Sequence, residues 1–393
     1  MSDDIKNSDV YIQELFGKDI NTPIIGKVAK LLAEGFYPDS EELWHKRFKF
    51  WWNSNPFLTD TDKIGWVLVS SSTGELKGFL GRIPVIYQCG TEQIKAVAST
   101  SWYVEREWSD KSAALYISFT RDKEANLLIN NTPTSQIQKT LPKMKFRRIS
   151  DVPVTNYLKF QKSKDFLNIA SLILKEKTEK TTGIMHYCYY YLHITANIVA
   201  KTIPNIRINI NKDDQNKMII SPVEKCDELF SNIDKHKREK EIGISKDYKT
   251  LNWLLFSPEI KILSERNVMS ISSKDGEYCG YFVYDIKKDV HRDLNYLVVR
   301  DIDLVNHNKD ATLAITRYLH NILKRNGCSH YVINSLYIHD DIVRKVLNKK
   351  IRIKSKNITP YFVMFKNLKK YANGEETLEK YRASGLDPDA GFV

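Results

Sequence analysis

Hydrophobic positions change their period along the chain. Ile24, Ile25, Val28, Leu31 and Leu32 share one face of a 3.6-residue repeat, which predicts an amphipathic helix with Thr22 as N-cap and Pro23 at N1. At 65–87 the run GWVLVSSSTGELKGFLGRIPVIY predicts two strands about a Ser-Thr-Gly turn. At 99–115, STSWYVEREWSDKSAAL reads as a strand passing into a helix, with Ser109 or Asp110 as N-cap.

The pattern then repeats. An offset of 202 carries Trp51 onto Trp253, Pro56 onto Pro258, Ser70 and Ser71 onto Ser272 and Ser273, Gly74 and Glu75 onto Gly276 and Glu277, and Gly78 onto Gly280. Those seven identities fall in 28 ungapped columns, where average usage gives roughly one or two. Further on, LLINN (127–131) meets YVINS (331–335), and QKTLPKMKFRRI (138–149) meets RKVLNKKIRI (344–353). A last strand follows each, VTNYLKF at 154–160 and PYFVMFK at 360–366. Thr22-Pro23 and Ser221-Pro222 read as matching helix starts.

Each unit is therefore expected to run α-α-β-β-β-α-β-α-β, an α+β layered domain with a right-handed strand-helix-strand crossover. The implied organisation is a first domain at 1–160, a helical linker at 161–220, a second domain at 221–370 and a tail at 371–393.

Charge and cysteine usage narrow the class. Sixty Lys and Arg against 48 Asp and Glu leave +12, which suits polyanionic partners such as nucleic acid, a membrane surface or a phosphate-bearing cofactor. The one dense run, KHKREKE at 235–241, alternates sign and reads as a solvated helix face. Five dispersed cysteines without a CxxC argue against a disulfide framework or a zinc cluster, so no metal is expected and a reducing cytoplasmic setting fits. The polar, acidic opening MSDDIKNSDVYIQELFGKD has no apolar signal region.

Residues 183–200, GIMHYCYYYLHITANIVA, carry no formal charge and lie between Lys180 and Lys201. Two histidines, four tyrosines and an asparagine favour a buried inter-domain helix, ahead of an interfacial membrane contact and a spanning helix. His186 and His193, seven apart, share one face as a core or cleft pair.

The element order, with its third helix after a central strand, resembles the GCN5-related N-acetyltransferase superfamily in a tandem two-domain form. That resemblance implies two acyl-CoA N-acyltransferase-type domains and acetyl-CoA or another acyl-CoA as cofactor. The family motif Arg/Gln-x-x-Gly-x-Gly/Ala falls here on Ser109, Ser112 and Ala114, so only the last position matches. The resemblance then assigns pyrophosphate binding to Ser109, Asp110, Lys111, Ser112, Ala113 and Ala114 at a helix N-terminus. The second unit's YLVVRDIDLVNHNKDATLAI (296–315) has no glycine and puts Asp301, Asp303 and Asp310 near the turn, where they would repel phosphate.

For the chemistry, the resemblance implies direct acyl transfer to an amine. The backbone of Trp102, Tyr103 and Val104 would polarise the thioester, Glu105 would be the general base, and Asn130 and Asn131 would pair with the pantetheine amides. Asn130-Asn131 also reads as an ordinary turn after the strand. A tyrosine in the fourth helix often protonates the thiolate in this family. The first unit has none there, while the second offers Tyr337; Tyr103, water or no acid at all remain open for the first. The acceptor implied is an amino sugar in bacterial surface glycan assembly, nucleotide-linked or lipid-linked, with Trp51, Trp52, Tyr187, Tyr189 and Tyr190 as stacking faces against an expectation of plain core packing. A Fem-type aminoacyltransferase using aminoacyl-tRNA, or a non-catalytic binding module, are the alternatives; no long helical arm is legible in the second unit, and DNA is not an expected partner.

Overall fold

The computed structural model describes residues 9–36, 38–90, 92–131, 133–148, 154–160, 163–182, 184–202, 218–228, 242–289, 293–305, 308–334, 341–350, 353–357, 362–365, 381–382 and 386. Its elements begin with β1 (Val10–Phe16), α1 (Pro23–Gly35), α2 (Glu41–Phe48), β2 (Lys63–Ser70), β3 (Leu76–Cys89), β4 (Glu92–Val104), α3 (Ser112–Thr120), β5 (Leu127–Asn130), α4 (Ser135–Thr140) and β6 (Arg147–Arg148). There follow β7 (Val154–Phe160), α5 (Ser163–Glu179), α6 (Ile184–Thr202), β8 (Met218–Pro222), β9 (Ile242–Ile244), α7 (Tyr248–Phe256) and α8 (Pro258–Leu263). The last group is β10 (Glu265–Ser273), β11 (Tyr278–Asp289), β12 (Leu294–Leu304), α9 (Lys309–Arg325), β13 (His330–Asn334), α10 (Asp341–Lys350), β14 (Ile353–Asn357), β15 (Phe362–Phe365) and β16 (Tyr381–Arg382). This is a mixed α+β architecture, as the patterning implied. The run at 235–241, Tyr337 and the tail apart from 381, 382 and 386 lie outside the described residues.

Contacts divide the chain into two compact units: 1–153 with 224–264 and 358–393, and 154–223 with 265–357. These are not the contiguous blocks expected from sequence. In the first unit the strands run β1-β2-β3-β4-β5-β15-β6, with β9 on the far end of β3 and β16 on β9. Strands β1 to β4 are antiparallel, β4 and β5 are parallel, and β15 is antiparallel to β5 and β6. In the second unit the order is β14-β7-β13-β12-β11-β10-β8, with only β12 and β13 parallel among the described pairs. Each sheet thus takes in the strand that follows the other repeat: β15 lies between β5 and β6 in the first, and β7 between β13 and β14 in the second. Strand identity is set by alternating apolar residues, and such a strand fits either sheet, so the exchange leaves no local mark.

Three further differences have local causes. Ser221-Pro222 ends β8, pairing with Ser270 and Met269, and does not open a helix; proline is tolerated at a strand end. Val10–Phe16, inside the polar opening, is an edge strand in which only Val10 and Leu15, five apart and so on opposite faces, are buried, which hides the alternation. Residues 163–202 form the α5–α6 helix hairpin of the second unit, and α6 is not buried: Tyr187 and Tyr191 are 64% and 66% exposed.

The β2–β3 and β10–β11 hairpins turn on Gly74 (φ 69°) and Gly276 (φ 84°), the left-handed conformation that glycine adopts without a Cβ clash. The first core gathers Trp66, Leu80, Val97, Leu115, Tyr116, Phe119 and Leu128 between sheet and α3. The second gathers Ile271, Phe282, Leu297, Ile315, Leu319 and Tyr331 beneath α9. Each sheet buries an ion pair. Arg82 Nε meets Asp122 Oδ2 at 2.6 Å, and Asp285 takes Arg266 Nε at 3.1 Å and Arg300 Nε at 2.8 Å.

Burial alone would push the Asp285 carboxyl up, but the two guanidinium groups more than reverse this and hold it at about 2, below its ordinary 3.8. A depressed carboxyl stabilises the fold above its unfolded pKa and loses that contribution as pH falls through the folded value. Asp285→Asn, which removes the buried charge that Arg266 and Arg300 share, is expected to cost about 3–5 kcal/mol at pH 7. In urea titrations the gap to the parent should narrow by roughly 2 kcal/mol between about pH 5 and pH 2; a gap independent of pH would contradict the assignment.

Candidate active site

In the first unit β4 pairs with β5 over only three residues, Ala96 to Leu127, Val97 to Leu128 and Ala98 to Ile129. Beyond Ala98, β4 continues to Val104 on β3 alone, and the two parallel strands separate. The register of β3 and β4 shifts between Phe79 and Gly81, and Ser101 opposite that shift has φ 53°. A serine in the left-handed region is uncommon and marks a bulge that turns the strand. Ser99 Oγ donates to the Ile129 carbonyl at 3.3 Å, the last tie across the gap.

A cavity of about 260 Å3 opens at this separation. Ser99, Thr100, Ser101 and Trp102 form its β4 wall, and Asn130, Pro133, Thr134 and Ile137 its β5–α4 wall. Phe36, Trp44 and Trp51 supply aromatic faces, with Asp39 and Arg47 between them. Arg47 Nη1 donates to Asp39 Oδ2 at 2.7 Å, and its guanidinium lies 4.4 Å from the Trp44 ring centroid, a cation–π contact. Trp102 stacks on Tyr116 at 4.3 Å, and Asn130 Nδ2 donates to the Tyr116 hydroxyl at 3.0 Å. Burial pushes the Tyr116 phenol far up, so it stays protonated at neutral pH.

The residues singled out in the sequence divide sharply. Trp102, Asn130 and Trp51 line the cavity. Asn131 is buried beside it with neither carboxamide atom hydrogen-bonded. Val104 pairs with Gly78 at the strand end. Glu105 is drawn to Lys77 at 3.4 Å and does not line the cavity. Tyr103 packs its ring on Gly35 and lies 5.7 Å from Phe36; burial, then Glu105 and Glu34, raise its phenol. Trp52 is a core residue, its Nε1 donating to the Arg82 carbonyl at 2.9 Å. Tyr187, Tyr189 and Tyr190 lie on α6 in the second unit. Asp39, Arg47, Phe36 and Trp44 were not legible as site residues, because the helix–loop segment that carries them bears no motif.

The turn from β4 into α3 is a short 3-10 helix, Arg106–Lys111, in which the Ser112 amide already donates to the Ser109 carbonyl. Ser109, Asp110 and Ala113 are exposed, Lys111, Ser112 and Ala114 partly so, and Lys111 Nζ meets Asp110 Oδ2 at 3.1 Å. No side chain caps α3. In the second unit Asn308 Oδ1 accepts from the Ala311 amide at 3.0 Å and so occupies the start of α9. Asp301 and Asp303 are buried within β12, Asp301 accepting from the Tyr281 hydroxyl at 2.8 Å, and only Asp310 stands at the helix start. All five cysteines are unpaired, and no cluster of metal-binding side chains occurs among the described residues.

No protein-family model matches the sequence, and no curated protein is similar to it. Solved structures are similar in fold. A GCN5-related N-acetyltransferase from Anabaena variabilis aligns over 91% of this chain and 72% of its own, with TM-score 0.54 and 11% identity. An Enterococcus faecalis protein described as a probable N-acyltransferase aligns over 95% and 75%, with TM-score 0.56 and 10% identity. N-myristoyltransferase from Saccharomyces cerevisiae, solved with myristoyl-CoA, aligns over 91% and 83%, with TM-score 0.50 and 12% identity. The chain has the fold of the GCN5-related N-acetyltransferases.

The Ser101 bulge carries a direct test. With φ held positive, glycine is favoured over alanine by about 1–2 kcal/mol. Ser101→Gly is therefore expected to be more stable than Ser101→Ala by that margin in chemical denaturation, whereas equal stabilities would place Ser101 in ordinary extended backbone.

Proposed function

We propose that the chain is an N-acyltransferase that uses an acyl-coenzyme A and acylates a small primary amine in the first unit. The observation that carries this reading is the separation of β4 from β5 with a polar and aromatic cavity inside it. The neighbours of similar fold, two of them named as acyl or acetyl transferases and one solved with myristoyl-CoA, support the same reading. The second unit, with its helix start closed by Asn308, is proposed as a support and not as a cofactor site.

The residues present fit the cofactor. Asn131 offers a buried donor and acceptor with no internal partner, suited to an amide of the pantetheine arm. The uncapped start of α3, with Ser109 to Ala114 and the Lys111 cation, would hold the diphosphate. Asp110 opposes it by like charge. The bound thioester supplies an activated acyl group. The exposed β4 edge at Ser101–Val104 offers main-chain N–H groups for its carbonyl oxygen. Asp39, the one carboxylate lining the cavity among the described residues, replaces Glu105 as the proposed base, with Arg47 fixing its orientation. In the transfer the acyl–sulfur bond breaks as the acyl–nitrogen bond forms, the amine proton passes to Asp39, and the thiolate takes up a proton. Tyr103, packed on Gly35, does not line the cavity either, so water is the proposed proton source for the thiolate.

The cavity lies below the roughly 300–1,000 Å3 of sites for drug-sized ligands, which favours a short acyl chain such as acetyl. Trp44 and Trp51 are core residues, 3% and 2% exposed, which leaves Phe36, at 36%, as the aromatic face offered to a sugar ring; the proposed acceptor is an amino sugar, as in surface glycan assembly. An aminoacyl-tRNA donor gains one observation, the α5–α6 hairpin missed in the sequence, but residues 184–196 of α6 include no lysine or arginine for phosphate contacts.

Calorimetry with coenzyme A is expected to give saturable binding. Asp110→Asn should tighten it about two- to fivefold by removing a like charge. Asp39→Asn should leave that binding unchanged and lower kcat about 100-fold or more, against a small effect of Glu105→Gln. Retention of tRNA without coenzyme A binding would support the alternative donor, and binding of neither a non-catalytic module.

A further inference from the structure

The α5–α6 hairpin presents a surface that its own packing does not use. Two bonds fix which side of α6 faces α5: His193 Nδ1 to the Ser171 carbonyl at 2.8 Å and His186 Nδ1 to the Thr178 carbonyl at 3.0 Å. Lys177 Nζ adds a contact 5.6 Å from the Tyr189 ring centroid. His186, Tyr189 and His193 thus make the inner stripe. The opposite arc carries Met185, Tyr187, Tyr190, Tyr191 and Leu192, between 47% and 66% exposed. From 183 to 200 no residue bears a formal charge.

A helix facing water normally sets charged side chains on its outer face, and a contiguous uncharged aromatic surface marks a covered site. We propose that this face of α6 rests on an anionic lipid surface, with the tyrosines at the headgroup boundary. Three features select that occupant. The arc mixes apolar bodies with tyrosine hydroxyl tips, which suits a layer that is apolar below and wet above. Exposed Lys175 and Lys180 stand at the turn end of the hairpin, with Lys177 turned to Tyr189; Glu176 and Glu179 leave residues 175–180 at +1, and this together with the +12 of the whole chain complements lipid phosphates. No helix among the described residues is long and apolar enough to cross a membrane, so the contact is with the surface. A polynucleotide would require cations across the arc itself. The inference is independent of the proposed chemistry.

Flotation of the full chain with vesicles tests it. Binding is expected with phosphatidylcholine vesicles containing phosphatidylglycerol, and at least about tenfold less with phosphatidylcholine alone. The double variant Tyr187→Glu, Tyr191→Glu, checked for native circular dichroism and unchanged coenzyme A binding, should lose about tenfold or more. A second variant, Lys175→Gln with Lys180→Gln, should weaken the anionic preference and its salt dependence while keeping residual binding. Three results would overturn the proposal: no vesicle binding by the parent, equal binding by the tyrosine variant, or sedimentation showing a dimer or a tRNA complex that this variant abolishes in place of lipid binding.

Discussion

The first unit depends on one constraint: β4 can satisfy two neighbours only as far as Ala98. Up to that residue it is an ordinary interior strand between β3 and β5. Past it, the positive φ at Ser101 and the register shift against β3 turn the strand, and β5 ends within one residue of the last pair. Main-chain groups that a sheet would pair are thereby left facing a gap. The gap stays open because its floor is fixed. Trp102 lies flat on Tyr116, Tyr116 is held by Asn130, and the aromatic ring cluster of Trp44, Phe48, Trp51 and Trp52 backs the far side.

Much of the framework was legible because it rests on local periodicity. The face of Ile25, Val28, Leu31 and Leu32 is the buried side of α1, and the 202-residue offset that lays Gly74 on Gly276 reflects a shared turn conformation that needs glycine. The edge strand β1 was missed because only Val10 and Leu15 of its seven residues are buried. The exchange of β7 and β15 could not be read, since sheet partners are chosen by the whole fold. Residues 185–192 lack charge without any of them being buried, and composition alone cannot separate a core face from an exposed one.

The site shows the same division. Trp102 and Asn130 were reachable through the family resemblance, which implies a ligand between the fourth and fifth strands; periodicity alone left Asn130-Asn131 as an ordinary turn. Glu105 fails as a cavity residue because Lys77 on the neighbouring strand captures it, a contact 28 positions away in sequence. Asp39 enters from the connection between α1 and α2 and Arg47 from the last turn of α2, and no motif marks either. The two helix starts differ by one side chain: Asn308 caps the Ala311 amide at the start of α9, whereas α3 has no side-chain cap. That difference, more than the acidic residues of β12, separates the units, because Asp301 and Asp303 are buried in their own strand.

The central claim is that the gap beyond Ala98 is where a coenzyme A thioester binds. Amide hydrogen exchange with and without coenzyme A tests it most directly. Protection should rise at 99–104, 112–116 and 130–131, with 308–313 unchanged. Protection confined to 308–313, or none at either place while the ligand binds, would contradict the account.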